Sequence, residues 1–258
     1  MDKIIGLGNA LIDVLATLKD DTLLDELELP KGSMQLIDDA KLQQINTKFS
    51  QMKTHLATGG SAGNAILGLA CLGAGTGFIG KVGNDHYGDF FRKNLQKNNI
   101  EDNLLTSEQL PSGVASTFIS QDGERTFGTY LGAAASLKAE DLTLEMFKGY
   151  AYLFIEGYLV QDHEMILHAI ELAKEAGLQI CLDMASYNIV ENDLEFFSLL
   201  INKYVDIVFA NEEEAKAFTG EEPEEALRVI AKKCSIAIVK VGANGSYIRK
   251  GTEEIKVS

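Results

Sequence analysis

The sequence predicts an α/β protein built on a mostly parallel sheet with helices on both faces and an inserted antiparallel β lid. Three observations predict it. From residue 139 onward, helical and strand patterns alternate, which calls for a parallel sheet whose crossovers cover its faces. Residues 113–131 break that rhythm, because strand, Asp122-Gly123 turn and strand form the signature of a hairpin. Between them, Thr58-Gly59-Gly60-Ser61-Ala62-Gly63-Asn64 leads into the apolar run Ala65 to Gly73. A flexible turn there feeds a helix read as buried, and the unpaired N–H groups at its start suit a polar ligand, with Asn64 in the first turn. The same glycines would equally serve close helix packing.

In chain order, Lys3 to Gly8 reads as a buried strand ending in glycines, with Asn9 and Asp13 just beyond. Gly6-x-Gly8 is not a dinucleotide fingerprint, since Leu11 stands in place of the third glycine and no helix opens. Residues 14–18 and 33–37 read as lid strands separated by an acidic stretch, giving lid segments at roughly 14–37 and 113–131. Asp38 opens an amphipathic helix to about residue 52, with Leu42, Ile45 and Phe49 on one face. Gly75 to Lys81 copies seven places of a P-loop, but Val82 replaces the hydroxyl residue and the stretch reads as a strand, so the match is a decoy. Helices are expected at 85–98, 139–147, 162–176, 191–203, 212–219 and 223–233. Strands are expected at 151–156, 179–183, 205–210 and 235–241, with a last hairpin of 246–249 against 254–257. No linker or repeat divides the 258 residues, which read as one domain.

Composition narrows the partners. With 23 basic against 38 acidic residues the formal charge is −15, which argues against nucleic acid or an anionic membrane surface. No apolar run reaches the length of a membrane span, and the chain reads as cytoplasmic. Cys71, Cys181 and Cys234 are read as small buried hydrophobes, and the four histidines make no ligand pattern with them.

The polar residues worth testing fall at strand ends. Asn211 to Glu214 follows an apolar strand, so Asn211 suits a helix cap and Glu214 the dipole of the first turn; Asp183 ends another strand, and Lys240 to Gly245 ends a third in glycines. Together, Gly8-Asn9-x-x-x-Asp13, the Gly59 to Asn64 stretch, the Asp-Gly hairpin, Asn211-x-x-Glu214 and Val241-Gly242-x-x-Gly245 resemble, in order, the ribokinase-like (PfkB) carbohydrate and nucleoside kinases. Residues 8–14 and 204–212 look most like the adenosine kinases and their bacterial relatives.

The resemblance implies an ATP-dependent phosphotransferase using Mg2+ and acting on a nucleoside, adenosine first, or on a free sugar. It implies that Asn9, Asp13, Gly59, Gly60 and Asn64 bind the acceptor, that Arg125 meets the transferring phosphoryl group, that Asn211, Lys240, Gly242 and Gly245 line the nucleotide site, and that Glu214 organises the metal. The family's Gly-Ala-Gly-Asp, which brings the catalytic base, occurs nowhere in the sequence. The expectation is therefore a base beyond Ser258, with a non-catalytic nucleoside-binding protein as the alternative. Oligomeric state is open.

Overall fold

The computed structural model describes residues 2–258. Among the described residues, fourteen strands form two sheets. The larger contains β1 (Ile4–Leu7), β5 (Thr76–Gly83), β6 (Ile100–Ser107), β9 (Tyr152–Glu156), β10 (Gln179–Asp183), β11 (Ile207–Asn211), β12 (Ile236–Lys240), β13 (Ser246–Lys250) and β14 (Glu253–Val257). Its order is β14-β13-β12-β11-β10-β9-β1-β5-β6, parallel except at the β12-β13-β14 end. The smaller sheet, ordered β3-β8-β7-β2-β4, contains β2 (Leu11–Thr17), β3 (Met34–Leu36), β4 (Thr54–Gly59), β7 (Gly113–Ile119) and β8 (Arg125–Tyr130).

The helices are α1 (Thr22–Glu26), α2 (Asp39–Phe49), α3 (Ser61–Cys71), α4 (His86–Lys97), α5 (His163–Glu175), α6 (Tyr187–Asn192), α7 (Leu194–Lys203), α8 (Glu212–Thr219) and α9 (Pro223–Ile230). Strand periodicity sorts side chains between two cores. Ile5, Leu7, Leu153, Ile155, Ile180, Leu182, Val208 and Val239 join one core with residues of α5, α7, α8 and α9. On the other face Phe78, Phe154 and Cys181 pack with Ile66 of α3, Phe91 of α4 and the inward side of the small sheet. The same inward side of that sheet also receives α2, where the Phe49 ring meets Phe118 at 5.0 Å between centroids.

Several expectations are corrected. The lid is mixed, not antiparallel: β2 runs parallel to β7 and β3 parallel to β8. Asp13 lies inside β2, and two strands escaped the sequence reading, β4 and the polar β6. Both are edge strands, so neither carries a strong apolar alternation. The helix expected at 139–147 is two 3-10 turns, Ala139–Asp141 and Leu144–Phe147. Asp141 closes the first turn by accepting from the Lys138 N–H at 3.0 Å and holds Lys81 at 2.7 Å, while Leu142 enters the core in extended backbone. The helix expected at 191–203 is divided at Asp193 into α6 and α7. Helix α3 is half-covered instead of fully buried: Ala62 and Ile66 face inward, whereas Cys71 is exposed and Leu72 is 82% exposed. The cysteine expectation therefore fails for Cys71, which sits on the open side of that helix. The decoy P-loop is β5, as expected, with Lys81 tied to Asp141 and the Ser136 carbonyl.

Candidate active site

A hollow of about 590 Å³ opens where the carboxyl ends of β1 and β9 meet the lid. Asn9, Gly60, Ser61 and Glu156 make its polar floor, and Leu11, Leu131, Ala134, Leu137, Leu159, Met165 and Ile189 contribute apolar wall. Met34 and Leu36, at the lid's β3 edge, overhang it. Both are exposed.

The floor is fixed by Glu156, a residue the sequence reading missed. Only 1% exposed, its Oε1 accepts from the Asn9 backbone N–H at 2.9 Å and from Asn9 Nδ2 at 2.6 Å, and its Oε2 accepts from the Ala62 N–H at 2.9 Å. One carboxylate thus joins β9, the turn after β1 and the first turn of α3. Burial pushes its pKa up, the three N–H donors pull it back, and Asp183 nearby adds to the rise. The only available signal was a carboxylate ending an apolar strand, Leu153-Phe154-Ile155-Glu156, in a fold that places ligands at strand ends.

Two glycines make the close approach possible. A Cβ on Gly8 would stand 2.6 Å from both Ala62 Cβ and Glu156 Oε2. Gly60, the cap residue of α3, has φ +86 and ψ 141, and a Cβ there would overlap the Asn9 carbonyl oxygen. Such backbone is essentially open to glycine alone. Asn9 is therefore gripped on two sides.

Asp13 and Gly59 lie one step along the lid from the hollow's lining and touch each other: a Cβ on Gly59 would come within 2.6 Å of the Asp13 carboxyl carbon. Burial raises the Asp13 pKa against the opposing positive charge of Arg125, and among the described residues no donor reaches this carboxylate. Arg125 itself is exposed at the start of β8. Asn64 occupies the first turn of α3 as expected, but it is exposed and lies outside the lining of the hollow.

The remaining expected residues gather at the ends of β10, β11 and β12, apart from the hollow. Asn211 caps α8, its Oδ1 accepting from the Glu214 N–H at 2.8 Å, while Glu214 accepts from the Asn211 N–H and Nδ2, each at 2.8 Å. This reciprocal cap is the bland role foreseen for the pair. Glu214 is nonetheless only 3% exposed, and burial raises its pKa with Asp183 contributing. Lys240 Nζ pairs with Asp183 Oδ2 at 3.0 Å, and Asp183 is the Cα partner of Glu156 across β9 and β10. Gly242 and Gly245 have positive φ in the turn that follows. Thus Glu156, Asp183 and Glu214 form an acidic file along the sheet's upper edge with one lysine set into it.

Residues 32–258 match the pfkB family carbohydrate kinase. The chain belongs to that family. It is 25% identical over 264 residues to guanosine-inosine kinase of Escherichia coli (strain K12), a match covering 97% of this chain and 61% of that protein. Among solved structures, a probable sugar kinase protein from Rhizobium etli CFN 42 has a TM-score of 0.87 at 31% identity, over 99% of this chain and 78% of that one. The adenosine kinase from Sinorhizobium meliloti has a TM-score of 0.86 at 30% identity, over 99% and 79%. The chain thus spans 61% of the length of the curated relative and more than three quarters of the two solved chains.

Proposed function

We propose that this protein moves the γ-phosphoryl group of ATP onto the primary 5′ hydroxyl of a ribosyl nucleoside, with a purine nucleoside, adenosine first, as acceptor. The observation that carries the reading is a hollow walled largely by apolar side chains that also holds polar groups, Asn9, Ser61 and Glu156 among them. Its 590 Å³ suits a ligand with a hydroxylated end and a flat apolar end, and exceeds what one monosaccharide fills. No lysine or arginine lines it, while the carboxylates of Glu156 and Asp162 do, which disfavours an acceptor already carrying a phosphate. Nucleosides are what the similar kinases from Escherichia coli and Sinorhizobium meliloti are named for.

In this reading Asn9 and Asp13 accept hydrogen bonds from sugar hydroxyls and hold the primary hydroxyl toward the acidic file. Attack of that oxygen on the γ-phosphorus breaks the bond to the β-phosphate bridging oxygen; ADP leaves, and the hydroxyl proton passes to a base. Arg125 brings positive charge to the transferring group, and Lys240, Gly242 and Gly245 border the nucleotide. Magnesium bound mostly through waters and phosphate oxygens asks for one or two carboxylates, which Glu214 and Asp183 would supply. Among the described residues no group of three or more His, Cys, Asp or Glu side chains is placed to hold a metal ion by itself. When bound, the ion would neutralise phosphate charge.

A free-sugar kinase is the second reading, favoured by the similarity to the probable sugar kinase of Rhizobium etli CFN 42. Calorimetric titration with adenosine, guanosine, inosine, ribose and fructose separates the two. Binding of ribose or fructose well above that of every nucleoside would overturn the nucleoside reading.

A further inference from the structure

We propose that the molecule carries a second binding site, for a small phosphate-bearing polyanion such as pyrophosphate, in a lysine-lined cleft at the edge of the large sheet opposite the hollow. Strands β9 to β12 run parallel, so their carboxyl ends share the hollow's edge and their amino ends share the other. Just ahead of β11 and β12, that other edge is cut by a cleft of about 320 Å³. Lys174, Lys203, Lys232 and Lys233 line it against one acid, Asp206, which makes a formal +3 in a chain of formal charge −15.

The chain itself neutralises little of this charge. Asp206 is already engaged, its Oδ2 accepting from Lys174 Nζ at 2.7 Å and from the Ile180 N–H at 2.8 Å. Lys233 Nζ donates to the Asn202 side-chain oxygen at 3.2 Å, a neutral partner that leaves the ammonium charge in place. Lys203 and Lys232 are exposed and have no side-chain partner among the described residues. The carboxyl ends of α5, α7 and α9 converge on this edge, where lysines match the helix dipoles. At about half a negative charge each, three helix ends offset only about half of the +3. Cys234, in the same lining, adds no charge, because burial pushes its thiol up to about 11.

Size and chemistry choose the ligand. The cleft is at the small end for ligand sites, and the aliphatic side chains in its lining, Ile201 and Val205, are buried, so an apolar body finds little wall. Ammonium groups are compact point charges that suit phosphate oxygens, and the Ser235 hydroxyl in the same lining adds a donor. Adjacent phosphates bring several negative charges to three uncompensated lysines within one small volume. The site is independent of the acceptor reading.

The test is calorimetric titration of the whole chain with pyrophosphate at about 0.15 M salt. Lys203→Gln combined with Lys232→Gln should weaken binding about tenfold or more, on the order of fivefold for each ammonium removed, with melting unchanged. Lys93→Gln combined with Lys97→Gln, an equal change of charge at exposed positions of α4, is the control and should bind as the wild type does. Because pyrophosphate also resembles part of a nucleotide, its place is read separately: when bound, it should shield Lys203 and Lys232 from an amine-acylating reagent, as measured by mass spectrometry. Absence of binding to the wild type, equal binding by the Lys203/Lys232 variant, or no shielding of these two lysines would each overturn the inference.

Discussion

Gly60→Ala is the sharpest single test of how the floor is held. The substitution asks an alanine to adopt φ +86 with ψ 141, which costs on the order of 1–3 kcal/mol outside glycine. Its methyl would also overlap the Asn9 carbonyl oxygen, and relieving such a contact adds about 1–3 kcal/mol. Together roughly 2–6 kcal/mol should be lost, lowering the melting temperature by about 4–24 °C at roughly 2–4 °C per kcal/mol for a domain of this size. Because relief comes by pushing Asn9 away from Glu156, acceptor affinity should fall at least about tenfold for each 1.4 kcal/mol of misplacement. Gly68→Ala is the matched control: it lies in the same helix with no heavy atom within 4 Å of the added Cβ. Gly68→Ala should be neutral, or stabilise by about 0.5–1 kcal/mol through helix propensity. Thermal melts and calorimetric titration of both variants decide the matter. Wild-type melting and affinity in Gly60→Ala would refute the reasoning.

Other outcomes follow from the same geometry. Asp13→Ala should weaken acceptor binding about tenfold or more with little change in melting, since its carboxylate has no donor inside the chain to lose; a collapse of stability would instead mark it as structural. Glu156 and Glu214 both have pKa values raised in the folded state by burial. Their contribution to stability is therefore fully present below the ordinary glutamate pKa and is lost as pH rises through the higher folded value. Melting followed upward from about pH 4.5 should show this loss, and Glu156→Gln should flatten it; an unaltered profile would count against the assignment. Asn211→Ala removes the cap of α8 and should cost about 0.5–2 kcal/mol in chemical denaturation.

The sequence by itself determined the fold class, because hydrophobic periodicity is local. Strands β9 to β12 are short apolar runs bounded by helical patterns, and Gln179–Asp183 coincides with its expected limits. The Asp-Gly turn declared the β7–β8 hairpin for the same reason, as its backbone demand is met within two residues. The family, too, was legible from five short motifs in register, and the match over residues 32–258 bears that out.

What only the tertiary structure decided depends on residues far apart in the chain. Strands β4 and β6 are polar edges whose pairing comes from neighbours. The parallel contacts within the lid arise because β2 and β7, about 100 residues apart, meet side by side. Glu156 escaped notice because its partners, Asn9 and Ala62, stand 147 and 94 residues away. Nothing near Glu156 in the sequence announces a buried carboxylate with three N–H donors. A motif names the residues that a turn or a helix start requires; only the meeting of distant segments determines which donors a carboxylate finds.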